Sequence, residues 1–317
     1  MRGVIQNMAA HRTKIPIAAW LTALRLPFTT VAVVPFGIGV YLAYVNGHTI
    51  SVRASLAGTL AVFLLCVACY LIGEVTDQAE DSKTLAVGRT PFSGGTLAVV
   101  GGHLEAGKVM TAAWLSFAAA ALLGLYIFSI HPEPWLIGLG AFGALSAVLY
   151  SLPPVRLVKR GVGEVLIGVC YGWLPLVTGY GCATGAMPPQ SYLFCLPVVL
   201  SIFNVILLNE FPDYDPDRST GKRNLLVRLG RERGAQIYAV ASLLTAITLV
   251  ILWYYYRPLS AVHLALVLLG ALLALVLAQQ VLCARRWSSN LTIERVCGLT
   301  ILLNHIASLT VGGLVRW

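Results

Sequence analysis

The chain alternates between long apolar stretches and short polar connections. Nine stretches of about 20 residues are apolar enough to cross a bilayer as helices. They cover roughly 17–44, 54–74, 109–130, 134–151, 162–184, 191–210, 236–256, 260–283 and 297–315. None of the connections has the composition of a domain linker. The pattern predicts one all-α integral membrane domain over residues 1–317, with nine transmembrane helices in a bundle.

The composition agrees with a membrane protein. Hydrophobic residues make up 58% of the chain and charged residues 11%, whereas a soluble globular domain carries about a quarter charged residues. The first apolar stretch is too long for the hydrophobic region of a secretory signal, and no small-residue cleavage site stands out near it. We therefore expect this stretch to remain in the protein as a helix.

Lysine and arginine are distributed unequally between the two faces of the predicted bundle. If the N-terminus is cytoplasmic, that face holds 18 of the 22 basic residues. The opposite face holds three, Arg53, Arg257 and Arg316, while Arg25 lies inside the first stretch. The positive-inside rule then predicts that the N-terminus is cytoplasmic. The same bias explains most of the net charge of +9, so we expect no nucleic-acid partner.

Eight of the 13 acidic residues lie in two short clusters, each directly after an apolar stretch. The spacing Glu-x-x-Asp-x-x-x-Asp occurs in both clusters with an offset of 136 residues. It pairs Glu74 with Glu210, Asp77 with Asp213, and Asp81 with Asp217. Four predicted helices separate the clusters, so both lie on the cytoplasmic face. This arrangement predicts a parallel internal repeat of four-helix units, whose acidic clusters face each other across a central cavity.

The spacing within each cluster indicates a bound cation. Positions i, i+3 and i+7 of a helix share one face, and like charges on one face repel each other. A cation between the carboxylates removes that repulsion, and two facing clusters can hold two divalent cations with a bridging anion. Pro212 and Pro216 fall inside the second cluster and predict an interrupted helix there.

Basic connections accompany both clusters on the same face. The candidate anion-binding side chains are Lys83, Arg89, Lys159, Arg160, Lys222 and Arg223. Carboxylates beside such cations indicate Mg²⁺ together with a phosphate, because Mg²⁺ commonly shares its coordination shell with substrate phosphates. A diphosphate at the mouth of an apolar bundle needs a lipid-like remainder, and a polyprenyl diphosphate has that form.

At these residues the chain resembles the UbiA superfamily of intramembrane prenyltransferases. The similarity is strongest in residues 209–218, which read NEFPDYDPDR. It includes residues 74–81, the segment RTPFSGG at 89–95, and the pair Tyr150-Ser151. Gly73 and Glu74 depart from the family pattern, since many members have Asn and Asp at these places. The chain is most similar to members that act on 1,4-dihydroxy-2-naphthoate.

The resemblance implies specific roles for the acidic residues. Asp77, Asp81, Asp213 and Asp217 would be the catalytic carboxylates that hold two Mg²⁺ ions on the diphosphate. Glu74 and Glu210 would join or support this metal set, and Asn209 would line the substrate site. The implied partners are a polyprenyl diphosphate, an aromatic acceptor and membrane lipid, with no obligate protein partner.

The reaction implied by the resemblance is Mg²⁺-dependent polyprenyl transfer to an aromatic acceptor of quinone biosynthesis. The leading expectation is 1,4-dihydroxy-2-naphthoate, a menaquinone precursor, in a bacterial cytoplasmic (inner) membrane. A 4-hydroxybenzoate polyprenyltransferase of a ubiquinone-type pathway is the first alternative. A cation-coupled membrane transporter is a more distant one, because acidic stripes can form a cation path. The basic loops, and the placement of both clusters on one face, argue against a transporter.

Two polar residues inside apolar stretches have two interpretations each. Arg25 is either an interfacial anchor or a partner of the diphosphate or of an acceptor carboxylate. Asn204 either bonds a neighbouring helix or lines the substrate site. We include both in the predicted substrate-lining set. Asn304 and His305, in the last apolar stretch, are expected to bond other helices.

Three of the acidic residues outside the repeated spacing have a specific interpretation. Glu80 and Asp215 are members of the clusters, and the sequence leaves open whether they are solvated or part of the site. Glu164 follows Arg160 by four residues at the start of the fifth apolar stretch. A carboxylate at the start of a helix, with Arg160 as its i, i+4 partner, explains Glu164 without a role in the site.

Overall fold

The computed structural model describes residues 17–87, 95–188, 194–256, 260–283 and 290–313. Nine helices in these ranges are long and apolar enough to cross a membrane, as predicted. The helices are α1 (Ile17–Ala23), α2 (Leu26–Val45), α3 (Val52–Thr76), α4 (Gln78–Val87), α5 (Ala106–Ile130), α6 (Pro134–Ser151), α7 (Gly163–Thr184), α8 (Leu196–Ser219), α9 (Leu225–Leu229), α10 (Arg231–Tyr256), α11 (Ala261–Cys283) and α12 (Asn290–Gly313). The short helix α4 carries Glu80 and Asp81 of the first acidic cluster, and the short helix α9 lies in the connection that follows the second cluster.

The first apolar stretch forms two helices instead of one. Helix α1 ends before Arg25, whose backbone adopts the left-handed conformation with φ 48° and ψ 47°. Pro27 follows in the first turn of α2, where its missing N–H costs no helical hydrogen bond. The turn directs Arg25 inward, so that its guanidinium lies 4.4 Å from the ring centroid of Phe28 and 5.6 Å from that of Tyr70.

The expected helix interruption occurs in the first acidic cluster and not in the second. Helix α8 continues through Pro212 and Pro216 to Ser219, so the prediction of a break there was wrong. Phe211 and the residues one turn before it are fully buried, and this packing outweighs the two lost helical hydrogen bonds. In the first cluster, α3 ends at Thr76 and α4 begins at Gln78, with Asp77 between them.

Close contact between α2 and α7 forms one side of the bundle. A Cβ atom on Gly39 would overlap the carbonyl oxygen of Leu176, and one on Gly179 would overlap the carbonyl oxygen of Phe36. Small residues allow helix backbones to approach this closely inside a membrane. The part of α7 just before this contact contains a π-helical turn at Val169–Trp173, and π turns are frequent at functional sites.

Buried polar side chains connect helices within the apolar part of the bundle. Asn204 Nδ2 donates to the carbonyl of Tyr238 at 3.0 Å and to Ser242 Oγ at 2.9 Å, both on α10. These contacts favour the interpretation in which Asn204 bonds a neighbouring helix. Its Oδ1 atom has no hydrogen-bond partner among the described residues. Asn304 Nδ2 donates to Ser201 Oγ at 3.0 Å, which confirms the expected bond between helices.

Candidate active site

The two acidic clusters meet at one polar cavity of about 140 Å³. Helix α3 contributes Glu74 and its end contributes Asp77. The polar residues that α8 contributes are Asn209, Glu210, Asp213 and Asp217. Thr84 of α4 donates to Asp213 Oδ1 at 3.4 Å, so α4 contacts the second cluster directly. The sequence therefore correctly predicted that the clusters face each other, although 136 residues separate them.

Asp81 shows that negative charge is crowded at this site. The side chain is 5% exposed, and its Oδ2 atom has no hydrogen-bond partner among the described residues. Burial, followed by the charges of Glu74, Asp77 and Asp213, raises the pKa of Asp81 to about 8. A cation placed between these carboxylates would reverse this effect. The donor set consists of carboxylate oxygens, which are the ligands that Mg²⁺ prefers.

The carboxylates do not form a complete metal site by themselves. Within the ranges that the structure describes, no three His, Cys, Asp or Glu side chains converge as a group that could hold a metal. Mg²⁺ typically binds through one or two carboxylates together with substrate phosphates and water. The arrangement of Asp77, Asp81, Asp213 and Asp217 therefore suits a cation whose remaining ligands come from an anionic substrate.

Lys222 is the basic side chain that lines the cavity beside the second cluster. Its Nζ atom lies 3.1 Å from Asp217 Oδ2. Burial alone would lower the pKa of Lys222, but the charges of Asp217 and Asp77 outweigh burial and raise it well above its ordinary value. The ammonium group is thus held charged at the cavity wall, as the binding of an anion requires.

A different pair of cations contacts the first cluster. Arg156 Nη2 lies 2.8 Å from Asp77 Oδ1, and it also donates to the carbonyl of Thr76 at 2.9 Å. Lys159 pairs with Glu80, which is 3% exposed. The sequence analysis left open whether Glu80 is solvated, and the structure shows that it is buried. Arg156 was not among the candidate anion-binding side chains. Both contacts depend on the connection between α6 and α7 folding onto α3 and α4, and no local motif predicts that.

The remaining predicted diphosphate cations do not line the cavity. Lys83, Arg160 and Arg223 are exposed, and Arg89 lies outside the described residues. Arg160 donates to the carbonyls of Pro154 and Val155 within its own loop. The predicted pairing of Arg160 with Glu164 is wrong, because Glu164 bonds elsewhere. The Glu164 carboxylate is 1% exposed and accepts from the backbone N–H of Leu225 at 2.7 Å.

The glutamate of each acidic cluster also accepts from backbone N–H groups. Glu74 uses both carboxylate oxygens, one for Thr96 N at 2.8 Å and the other for Ala98 N at 2.6 Å. Glu210 Oε2 accepts from Leu226 N at 3.3 Å. Asp215 faces outward and pairs with Arg231 on the surface, with 70% of its side chain exposed. The contacts thus distinguish glutamates that bond the backbone, Glu74 and Glu210, from the outward-facing Asp215. The spacing alone did not make this distinction.

Arg25 and Asn209 also line the polar cavity. Asn209 is 6% exposed, and its Oδ1 atom has no hydrogen-bond partner in the described part of the chain. Arg25 approaches the cavity from the break between α1 and α2, as the inward interpretation predicted. Asn209 therefore offers a hydrogen-bond acceptor to a ligand in the cavity, and Arg25 offers a positive charge.

An apolar cavity of about 540 Å³ lies directly beside the polar one. Four residues line both cavities: Cys69, Tyr150, Ile167 and Tyr171. Tyr171 belongs to the π-helical turn of α7. The rest of the apolar cavity is formed by α2, α3, α5, α6 and α7. The site thus has a charged end and an apolar end, and aromatic side chains stand at the junction.

The described residues form an all-helical membrane bundle in which two acidic clusters surround a polar cavity. An apolar cavity lies beside the polar one. The model of the UbiA prenyltransferase family matches residues 17–294. The chain belongs to the UbiA prenyltransferase family and is an integral membrane protein.

Named relatives lie within the same family. The bacteriochlorophyll synthase 33 kDa chain of Cereibacter sphaeroides is 33% identical over 52% of this chain, and the match spans half of that relative. The 1,4-dihydroxy-2-naphthoate octaprenyltransferase of Bacillus subtilis is 26% identical over 70% of this chain and 69% of its own length. A UbiA homologue from Archaeoglobus fulgidus, solved with DMAPP and Mg²⁺, has a TM-score of 0.59 at 15% identity, covering 92% of this chain and 98% of that one.

Proposed function

We propose that this protein transfers a polyprenyl group from a polyprenyl diphosphate to an aromatic acceptor of quinone biosynthesis. The observation that carries this proposal is the junction of the polar cavity and the apolar cavity, which share four lining residues. The two cavities correspond to the two ends of a polyprenyl diphosphate. Family membership supports the same reaction.

The polar cavity is the proposed diphosphate site. Asp77, Asp81, Asp213 and Asp217 would hold two Mg²⁺ ions, and the homologue solved with DMAPP and Mg²⁺ supports a metal of this kind. When bound, Mg²⁺ neutralises charge on the departing diphosphate. Lys222 stands at the cavity wall with a stabilised positive charge, and it can bind the same diphosphate. We place Arg156 behind Asp77, where it orients that carboxylate.

The apolar cavity is the proposed site of the polyprenyl tail. In the reaction, the allylic C–O bond breaks and its electron pair leaves with the diphosphate. A ring carbon of the acceptor then bonds to the allylic carbon, and the group that it displaces leaves as a proton or as carbon dioxide. Tyr150 and Tyr171 stand at the junction where this carbon would lie. The apolar lining there would disfavour the water that would otherwise capture the cation.

The acceptor that we propose is 1,4-dihydroxy-2-naphthoate. A relative that carries this substrate in its name supports the choice, at 26% identity. Arg25 reaches the polar cavity from the break between α1 and α2, and its guanidinium can pair with the ring carboxylate. A 4-hydroxybenzoate acceptor also has a carboxylate and is the alternative. The distribution of basic residues supports a cytoplasmic N-terminus and a cytoplasmic active site. The bacterial relatives favour a bacterial inner membrane as the location.

The test is radiolabelled prenyl transfer by the purified protein in detergent. Each aromatic acid is offered separately, with Mg²⁺ or with EDTA. We expect product with 1,4-dihydroxy-2-naphthoate only in the presence of Mg²⁺. Asp213→Asn should lower the rate by about 100-fold or more. Asp215→Asn is the matched control, because this exposed residue lies in the same cluster but faces away from the cavity.

Other outcomes would redirect the proposal. Product with 4-hydroxybenzoate alone would identify the alternative acceptor. No diphosphate release with either ring, together with cation flux across vesicles that contain the protein, would support a transporter instead. Equal losses in Asp213→Asn and Asp215→Asn would contradict the assigned site.

A further inference from the structure

Three buried side chains hold the start of α9. The backbone N–H groups of Leu225, Leu226 and Val227 donate to Glu164 at 2.7 Å, Glu210 at 3.3 Å and Asn224 at 2.9 Å, respectively. The first N–H groups of a helix have no partner inside the helix. Side chains from α7, from α8 and from the residue before α9 therefore each supply one acceptor.

This contact fixes the residues that face the cavity. Asn224 is fully buried, and its Nδ2 atom donates to Asp217 Oδ2 at 2.9 Å. Lys222 Nζ lies 3.1 Å from the same oxygen. Only two residues separate Lys222 from the N–H group held by Glu164. A shift at the start of α9 would thus move both donors that face Asp217.

The first cluster has an equivalent contact. Glu74 accepts from the N–H groups on either side of Leu97, whose φ of 61° lies in the left-handed region. The same turn begins at Gly95, and a Cβ atom on Gly95 would overlap the Asp81 carboxylate. Glu74 therefore fixes the segment that packs against Asp81, much as Glu210 fixes the segment beside Asp217.

We propose that Glu164 and Glu210 are positioning residues that hold α9, so that Lys222 and Asn224 stay against Asp217. Glu74 holds the turn from Thr96 to Ala98 in the same way. The catalytic consequence rests on the proposed function, but the structural consequence does not. In this assignment the two cluster glutamates act through the backbone and are not Mg²⁺ ligands. Glu164, outside both clusters, is the third member of the set.

Glutamine substitution distinguishes a hydrogen-bond acceptor of the backbone from a charged metal ligand at Glu164 and Glu210. Each of these carboxylates accepts from the backbone through one oxygen, so Glu164→Gln and Glu210→Gln keep the acceptor and lose the charge. Glu164→Ala and Glu210→Ala remove both. Glu105→Ala and Glu105→Gln are the matched controls, because Glu105 is 68% exposed and pairs only with the surface Lys108 among the described residues.

Two measurements read the result. The first is limited trypsin cleavage after Lys222 or Arg223 in detergent without Mg²⁺, with the fragments identified by mass spectrometry. We expect the Ala variants to be cleaved about tenfold faster, because a buried hydrogen bond is lost, and the Gln variants to be cleaved like the wild type. The second is prenyl transfer, for which we expect kcat/KM to fall about 10-fold or more in the Ala variants and to recover in the Gln variants.

Two results would overturn the proposal. Gln variants as impaired as Ala variants, with a raised Mg²⁺ requirement and unchanged trypsin cleavage, would make the carboxylates metal ligands. Unchanged cleavage in every variant would show that α9 does not depend on them. If Glu164→Ala does not accumulate, Leu225→Pro removes the same bond from the donor side, at a helix position that tolerates proline. Since trypsin cleavage needs no substrate, failure of the proposed reaction would leave this test intact.

Discussion

Arg156 Nη2 lies 2.8 Å from Asp77 Oδ1, at the point where α3 ends and α4 begins. The same nitrogen donates to the carbonyl of Thr76, the last residue of α3. Arg156 itself has a left-handed backbone conformation, with φ 44°. One side chain from a distant connection therefore fixes both the end of a transmembrane helix and the carboxylate that follows it.

Replacement of Arg156 should impair the first cluster. In Arg156→Ala the Asp77 carboxylate loses its orienting partner, and we expect kcat/KM for the prenyl diphosphate to fall about 10-fold or more. Arg156→Lys keeps the charge but loses the planar geometry of the guanidinium, so it should recover only part of the rate. Arg233→Ala is the control, because Arg233 is an exposed cation on the same face. A rate for Arg156→Ala equal to that of the control would contradict the role.

Lys159 and Glu80 should behave as a structural pair. Lys159→Met would leave Glu80 buried without its counter-charge, and we expect a loss of about 3 kcal/mol in the free energy of unfolding. The double variant Lys159→Met, Glu80→Gln should recover much of that loss, because the buried charge is gone. Thermal unfolding in detergent measures both effects. If the double variant is no more stable than the single variant, Lys159 contributes through another contact.

The fold was predictable because apolar stretches of bilayer length identify transmembrane helices. The boundaries were less predictable at the ends that carry charge. The sixth stretch was predicted to end at 210, but α8 continues to Ser219 and carries the whole second cluster. A helix end predicted from apolar residues falls where charged residues begin. The actual helix continues further because α8 packs into the bundle. The turn at Arg25 likewise depends on tertiary contacts with Phe28 and Tyr70.

The candidate site was predictable in its acidic part and not in its supporting contacts. The repeated spacing selected Asp77, Asp81, Asp213 and Asp217, and the structure brings the two clusters together. The one-face geometry holds only for the second cluster, because α3 ends at Thr76 and α4 begins at Gln78. The spacing could not distinguish Glu210 from these aspartates, since its partner is a backbone N–H group 16 residues further along the chain. Glu164 was misassigned because a local ion pair explained it, while its actual partner lies 61 residues away.

The contact between α2 and α7 gives a matched test of packing. A Cβ atom in Gly39→Ala would overlap the Leu176 carbonyl, whereas in Gly37→Ala it would meet nothing within 4 Å. We expect Gly39→Ala to lower the free energy of unfolding by about 1–3 kcal/mol. Gly37→Ala should leave it unchanged or raise it slightly. Thermal unfolding of both variants in detergent compares them, and equal stability would contradict the close contact.

The apolar cavity should limit the length of the prenyl tail. Gly140 lines this cavity with open space around its Cβ position, so Gly140→Leu would fill part of it without disturbing a packed contact. We expect turnover with long prenyl diphosphates to fall more than turnover with short ones. Gly37→Leu is the control, because Gly37 is exposed and does not line the cavity. Equal losses at every chain length would place the tail elsewhere.

Glu74→Gln should differ from Glu210→Gln, although the two glutamates occupy equivalent places in the spacing. Both oxygens of Glu74 accept from backbone N–H groups, and an amide offers only one acceptor, so its NH₂ group would face the N–H of Thr96 or Ala98. We therefore expect Glu74→Gln to lower kcat/KM about 10-fold and to lower the thermal unfolding temperature, whereas Glu210→Gln should stay near the wild type. The two variants would be compared side by side in transfer and unfolding assays. If Glu74→Gln keeps full stability and activity, the turn at Leu97 does not depend on both of its oxygens.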